Sequence, residues 1–130
     1  MGILLIVSSL YGGVKKNSVQ AKSNGSTITI WWETDNVSGI QSFKVLRSVS
    51  PLSGYEIVGT VYPKDGTSLY SFEDEQPFMK TTTLYYYRIA TIVDSGSESY
   101  EPSLDASGVV VDHTTSGVRR TWGSIKAMFR

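Results

Sequence analysis

The chain has 130 residues, 18% of them charged, with a formal net charge of zero. That length gives one domain and one core with short extensions, and its wealth of Thr, Tyr and Val points to strands and turns. With no cysteine and a single histidine, His113, disulfides, thiolate metal sites and histidine-pair metal sites are excluded.

The neutral total conceals a division. Ser23 to His113 carries twelve acidic residues against five basic ones, a balance of −7, whereas residues 1–22 stand at +3 and residues 114–130 at +4. An acidic body with basic ends argues against nucleic-acid binding by the body. The chain therefore divides into an N-terminal segment (1–22), a body (23–113) and a tail (114–130).

The N-terminal segment holds an apolar run from Ile3 to Leu10, far short of the roughly 20 residues of a membrane-spanning helix. It suits the hydrophobic part of a secretory signal, with Ser8, Ser9, Gly12 and Gly13 following as small residues, but no Lys or Arg precedes it. The other reading is a retained strand buried on both faces.

From Ser26 onward the pattern alternates with period two. In "STITIWWET", Ile28, Ile30 and Trp32 share one face and Thr27, Thr29 and Trp31 the other. "IQSFKVLRS" turns Phe43 and Val45 inward and Lys44 outward. "YEIVGTV", "LYSFEDE", "TLYYYRIATIV" and "GVVVD" follow, divided by turn signals such as "SPLSG" and "PKDG". With one strand inferred before Ile28, seven short strands predict an all-β sandwich.

These residues resemble a fibronectin type III domain across about Ala21 to Asp112. Trp32 matches the core tryptophan of the family's second strand, and Phe43, Val45 and Arg47 match its third-strand pattern. "TLYYYRI" matches its motif Thr-x-Tyr-x-aromatic-Arg-aliphatic. The resemblance implies a seven-stranded immunoglobulin-like sandwich with Ile28, Ile30, Trp32, Phe43, Val45, Tyr85, Tyr87 and Ile89 in the core. It also implies that the Tyr85 hydroxyl bonds back to upstream backbone as a tyrosine corner, while Tyr86, Arg88 and Ala90 face out. "EQPFMKTTT" replaces the family's Leu-x-Pro corner. The combination is similar to modules attached to secreted bacterial proteins, so a secreted or cell-surface location is expected.

Catalytic chemistry finds no support in the sequence. His113, at the end of the last strand, is expected to be exposed and has no nucleophile paired with it. No phosphate loop is present. Glu73, Asp74 and Glu75 read as a solvated edge without the ligand ladder of a calcium site. No catalytic residue, metal ligand or cofactor is assigned. For binding, Trp31 and Tyr86 are expected outward on adjacent parts of the fold, as a platform for a sugar ring or a protein anchor. Arg47 and Arg88 are expected to stack on these rings. The alternative is that Trp31 lies under one of the apolar ends.

In the tail, "TTSG" reads as a flexible linker. Trp122, Ile125 and Phe129 fall at helical spacing, with Arg119, Arg120 and Lys126 supplying positive charge. About ten residues are too few for a stable isolated helix, so this amphipathic segment is expected to order only against a surface. That surface is its own domain, a protein partner or cell-envelope machinery, or an anionic membrane. The function expected is a non-catalytic extracellular module for protein interaction, adhesion or surface assembly. The rivals are a glycan-binding module using the exposed aromatics, and a homo-oligomeric fibre subunit completed by addition of the N-terminal strand.

Overall fold

A computed structural model describes residues 13–75 and 83–113. Among them are eight strands: β1 (Gln20–Ser23), β2 (Ile28–Glu33), β3 (Ile40–Ser48), β4 (Glu56–Val61), β5 (Leu69–Asp74), β6 (Thr83–Val93), β7 (Glu98–Glu101) and β8 (Val109–His113). They form two antiparallel sheets, one ordered β1-β2-β5 and the other β4-β3-β6-β7, with β8 also pairing β6. The inferred first strand is present as β1. The eighth strand, β7, comes from "ESYE", between the predicted strands "TLYYYRIATIV" and "GVVVD". β7 and β8 share one edge of β6, opposite Ile89–Ile92 and Thr83–Tyr87 respectively.

The body begins before residue 23. Val19 is buried in the core, and Val14 bridges to Thr34. Residues 1–12 and 114–130, with the N-terminal apolar run and the tail, lie outside the described residues, as does the 76–82 segment upstream of Tyr85.

The two inner faces meet as alternation requires. Ile28, Ile30 and Trp32 from β2 face Phe43 and Val45 from β3 and Tyr85, Tyr87 and Ile89 from β6, all buried. Trp32 stacks on Tyr70 with ring centroids 6.2 Å apart and meets Phe43 edge-on at 5.7 Å. The Tyr70 hydroxyl accepts from the Lys64 amide at 3.0 Å and faces the carbonyls of Lys64 and Thr67. This pins the "PKDG" turn onto the core.

A charged group crosses this core. Asp74, 2% exposed at the end of β5, accepts from Arg47 Nη1 of β3 and from the Tyr87 hydroxyl of β6, both at 2.7 Å. Arg47 also lies 3.8 Å from Glu56 and 5.6 Å from the Tyr85 ring centroid. Burial alone would lower the Arg47 pKa, but the hydrogen bond and charge of Asp74 more than offset it and hold the guanidinium above its ordinary value. Burial, and then the bond to Asp74, push the Tyr87 phenol upward.

At one edge the sheets touch through a glycine. A bulge leaves Val58 without a partner opposite β3, placing Gly59 inward and Ile57 outward. The Phe72 ring of β5 lies over Gly59, where an added Cβ would sit 2.2 Å from the ring.

Two stability outcomes follow. Asp74→Ala strands the Arg47 cation and is expected to lose about 3–5 kcal/mol in urea denaturation. The double variant Arg47→Met, Asp74→Leu should recover much of that loss. Gly59→Ala is expected to cost about 1–3 kcal/mol through overpacking against Phe72, whereas pairing it with Phe72→Leu should relieve the cost.

Candidate functional site

Charge was a poor guide to exposure in this chain. His113, expected at the surface, is 1% exposed; its Nδ1 lies 2.6 Å from Ser23 Oγ and its ring packs against Tyr85. It ends the inward-facing series Val109, Val111, His113 of β8 and faces the sandwich interior. Asp74, read with its neighbours as a solvated edge, is the buried partner of Arg47, while Glu73 and Glu75 are exposed. Arg47, expected to stack on the outward rings, instead points inward over Tyr85, because it continues the parity of Phe43 and Val45. Among the described residues no group of three or more His, Asp or Glu side chains is placed to hold a metal ion.

Arg88 has outward parity, yet it is 1% exposed. Its guanidinium lies 4.4 Å from the Tyr55 ring centroid and donates to the carbonyls of Pro51, Pro102 and Ser103. The Tyr55 hydroxyl in turn donates to Pro51 O at 2.7 Å and accepts from the Gly108 amide at 3.1 Å. Gly108 is needed there, since a Cβ would stand 2.2 Å from that hydroxyl. Arg88 therefore ties the turn after β3 to the β7–β8 connection and does not stack on Trp31 or Tyr86.

Trp31 and Tyr86 are not brought together. Both point away from the core, but Trp31 lies on the outer face of the three-stranded sheet and Tyr86 on that of the five-stranded sheet. Each is partly buried. Trp31 sits between Gln20 and Ser71 on the neighbouring strands and lines an open groove of about 440 Å³ with Lys15, Lys16, Asn17 and Glu33. The turn at Lys15–Ser18 is held there by the Lys15 amide donating to Glu33 O at 2.8 Å and the Glu33 amide donating to Ser18 Oγ at 3.2 Å. The Trp31 ring thus lies beside the polar segment leading into β1; the apolar ends expected to cover it lie outside the described residues. Tyr86 stands between Ser48 and Val110. The remaining candidates, Trp122, Ile125, Phe129, Arg119, Arg120 and Lys126, lie outside the described residues.

The structure adds a feature that sequence reading missed. The outer face of the five-stranded sheet carries an apolar trough of about 360 Å³, lined by Leu46, Tyr55, Ile57, Ile92, Tyr100 and Leu104. Its floor is Ala90, placed between Lys44 of β3 and Tyr100 of β7. One small side chain amid larger ones makes the face concave. Ile57 and Leu104 are 61% and 60% exposed. Glu98 stands on the rim and accepts from the Tyr100 hydroxyl at 2.6 Å. The signal lay in parity: "KVLRS" and "YRIATI" set Leu46, Ala90 and Ile92 on the face that Lys44 marks as outer. Only the strand order shows that they adjoin.

Comparison with known structures gives the class. The chain is similar to a Fn3-like protein from Clostridium thermocellum, known from its crystal structure, at 19% identity and a TM-score of 0.50, over 77% of this chain and 88% of that one. No protein-family model matches the chain, and no curated protein matches it. The fold is fibronectin type III-like, an all-β sandwich of two sheets.

Burial lowers the His113 pKa, so the folded state takes up its proton less readily than the unfolded chain. Its contribution to stability is complete above about pH 6.5, the ordinary value, and declines as pH falls through that value toward the folded one. Denaturation midpoints should therefore fall below pH 6.5 in the wild type, with a shallower fall in His113→Gln. Because Trp31 and Tyr86 share no surface, the stability effects of Trp31→Ala and Tyr86→Ala should add within about 0.5 kcal/mol in the double variant.

Proposed function

We propose that this chain is an extracellular, non-catalytic interaction module that engages protein partners through the apolar trough of its five-stranded sheet. Residues 119–129 serve as a second docking element at the cell surface. The observation that carries this reading is the concentration of exposed apolar side chains, Ile57 and Leu104 foremost, around a concave floor with a polar rim. Such a surface gains from being covered, and apolar anchors seated in a hollow supply most of the energy in protein interfaces. The strands that carry Leu46, Ile57, Ile92 and Tyr100 also hold these side chains in place before contact, which lowers the ordering cost of binding.

Glycan binding is the second reading, now reduced to one ring. Trp31 with Gln20, Asn17 and Glu33 offers a stacking face beside hydrogen-bonding groups. Trp31 and Tyr86 stand on different sheets, so this reading rests on Trp31 alone. Assembly by addition of the Ile3–Leu10 strand concerns residues outside the described part.

The test is site-specific photo-cross-linking on the producing cell's surface fraction. A photoreactive residue at Ile57 should yield a discrete protein adduct, reduced at least about tenfold by Leu104→Glu. The same group at Ser71, on the outer face of the three-stranded sheet, should yield none. Adducts at Ser71 alone, or at both positions equally, would contradict the proposal.

A further inference from the structure

We infer that the trough receives the tail of a second copy of this chain, so that protomers join head to tail. The inference rests on the trough being a protein-interaction surface and names its occupant.

Dimensions agree first. Ile57, Leu46, Ala90 and Tyr100 stand on four successive strands, β4, β3, β6 and β7. Three interstrand spacings of about 4.8 Å make the trough about 14 Å across. Folded as a helix on that surface, Trp122 to Phe129 would cover seven rises, about 10 Å, and would lie across the strands on the Ala90 floor. Charge agrees as well. The body from Ser23 to His113 carries −7 and residues 114–130 carry +4 with no acid, and the Glu98 carboxylate on the rim faces whatever occupies the trough. Lys44 on the opposite rim donates to Thr60 Oγ1 at 3.1 Å and keeps its positive charge, so Arg119, Arg120 or Lys126 would sit on the Glu98 side.

Reach favours a second copy over the chain's own trough. β8 runs antiparallel to β6 and ends with His113 opposite Thr83, at the far end from Ala90 and Ile92. Returning to them means travelling seven to nine rises along β6, about 24–31 Å. Trp122 is nine residues beyond His113, a span of at most about 32 Å when fully extended. Reaching the Ile92 end of its own trough would draw the linker almost straight, and even the nearer Leu46 level, opposite Arg88 and about 17 Å from Thr83, uses over half of that span, whereas a neighbouring protomer imposes no such limit. The surfaces joined are different patches, so the contact is heterologous and propagates into open chains unless rotation closes a ring.

Complementation of full-length variants tests this directly. In sedimentation equilibrium the wild type should grow beyond a dimer as concentration rises. Ile57→Glu, with a disabled trough, and Trp122→Ala, with a disabled tail, should each remain monomeric over the same range, their self-association weakened at least about tenfold. Mixed together, they should form a complex that stops at one of each, because only one productive pairing exists. Circular dichroism of each variant establishes that it is folded. The inference is overturned by a wild type that stays monomeric, by either variant assembling alone as the wild type does, or by a mixture that forms no complex. If the wild type is monomeric yet Ile57 still cross-links to a different protein at the cell surface, this inference fails while the proposed function stands. If neither contact depends on the trough, both fail.

Discussion

The Asp74 carboxylate is the constraint around which this sandwich is arranged. A carboxylate taken out of water is tolerated only if its oxygens are matched by donors. Here the donors come from the opposite sheet, Arg47 of β3 and Tyr87 of β6. Apolar packing between two sheets is non-directional and would accept several relative placements. Two hydrogen bonds of 2.7 Å across the core accept few. Around this point Arg47 lies against Tyr85, Tyr85 against His113, and His113 against Ser23 of β1, so one end of the sandwich is organised by polar contacts and the other by Trp32, Phe43 and Tyr70.

With the sheets fixed, their outer faces differ in kind. The three-stranded face alternates Lys22, Thr29, Ser71 and Glu73 around the single ring of Trp31. The five-stranded face exposes aliphatic side chains around Ala90, and Arg88 divides it. On one side of that arginine lie Leu84, Tyr86 and Val110 in a narrow patch on two strands; on the other lies the trough across four. By tying the Pro51 and Pro102–Ser103 segments together, Arg88 also sets Tyr55 and Leu104 at the trough's margin. An arginine matched to the fibronectin type III strand motif thus shapes the surface from which interaction is proposed.

The sequence made the core legible because alternation is a direct consequence of strand geometry: Trp32, Phe43, Val45, Tyr85, Tyr87 and Ile89 are all where period two places them. The misjudged residues fall into two groups with separate causes. Arg47, Asp74 and His113 all had inward parity, and the error was to let their polarity overrule it. Arg88 had outward parity and was buried by loops, which alternation along one strand cannot show. The trough was hidden for a third reason. Leu46, Ile57, Ala90 and Tyr100 come from four strands between residues 46 and 100, and their adjacency depends on pairing order and on the bulge at Val58. The separation of Trp31 from Tyr86 has the same origin, since neither residue reveals which sheet its strand joins.

Stability and interaction thus belong to opposite sides of the same strands: β3 and β6 direct Arg47 and Tyr87 inward to Asp74, and Leu46 and Ala90 outward to the trough. The central claim is that the outer face of the five-stranded sheet is covered when the protein performs its role. Hydrogen–deuterium exchange of the full chain at rising protein concentration tests this most directly. The account predicts that β4, the β7–β8 connection around Leu104 and the edge strand β7 gain protection with concentration, while the edge strand β1 and the Lys15–Ser18 turn exchange at constant rates. Protection that rises instead around β1 and Trp31, with β4 and β7 unchanged, would contradict it.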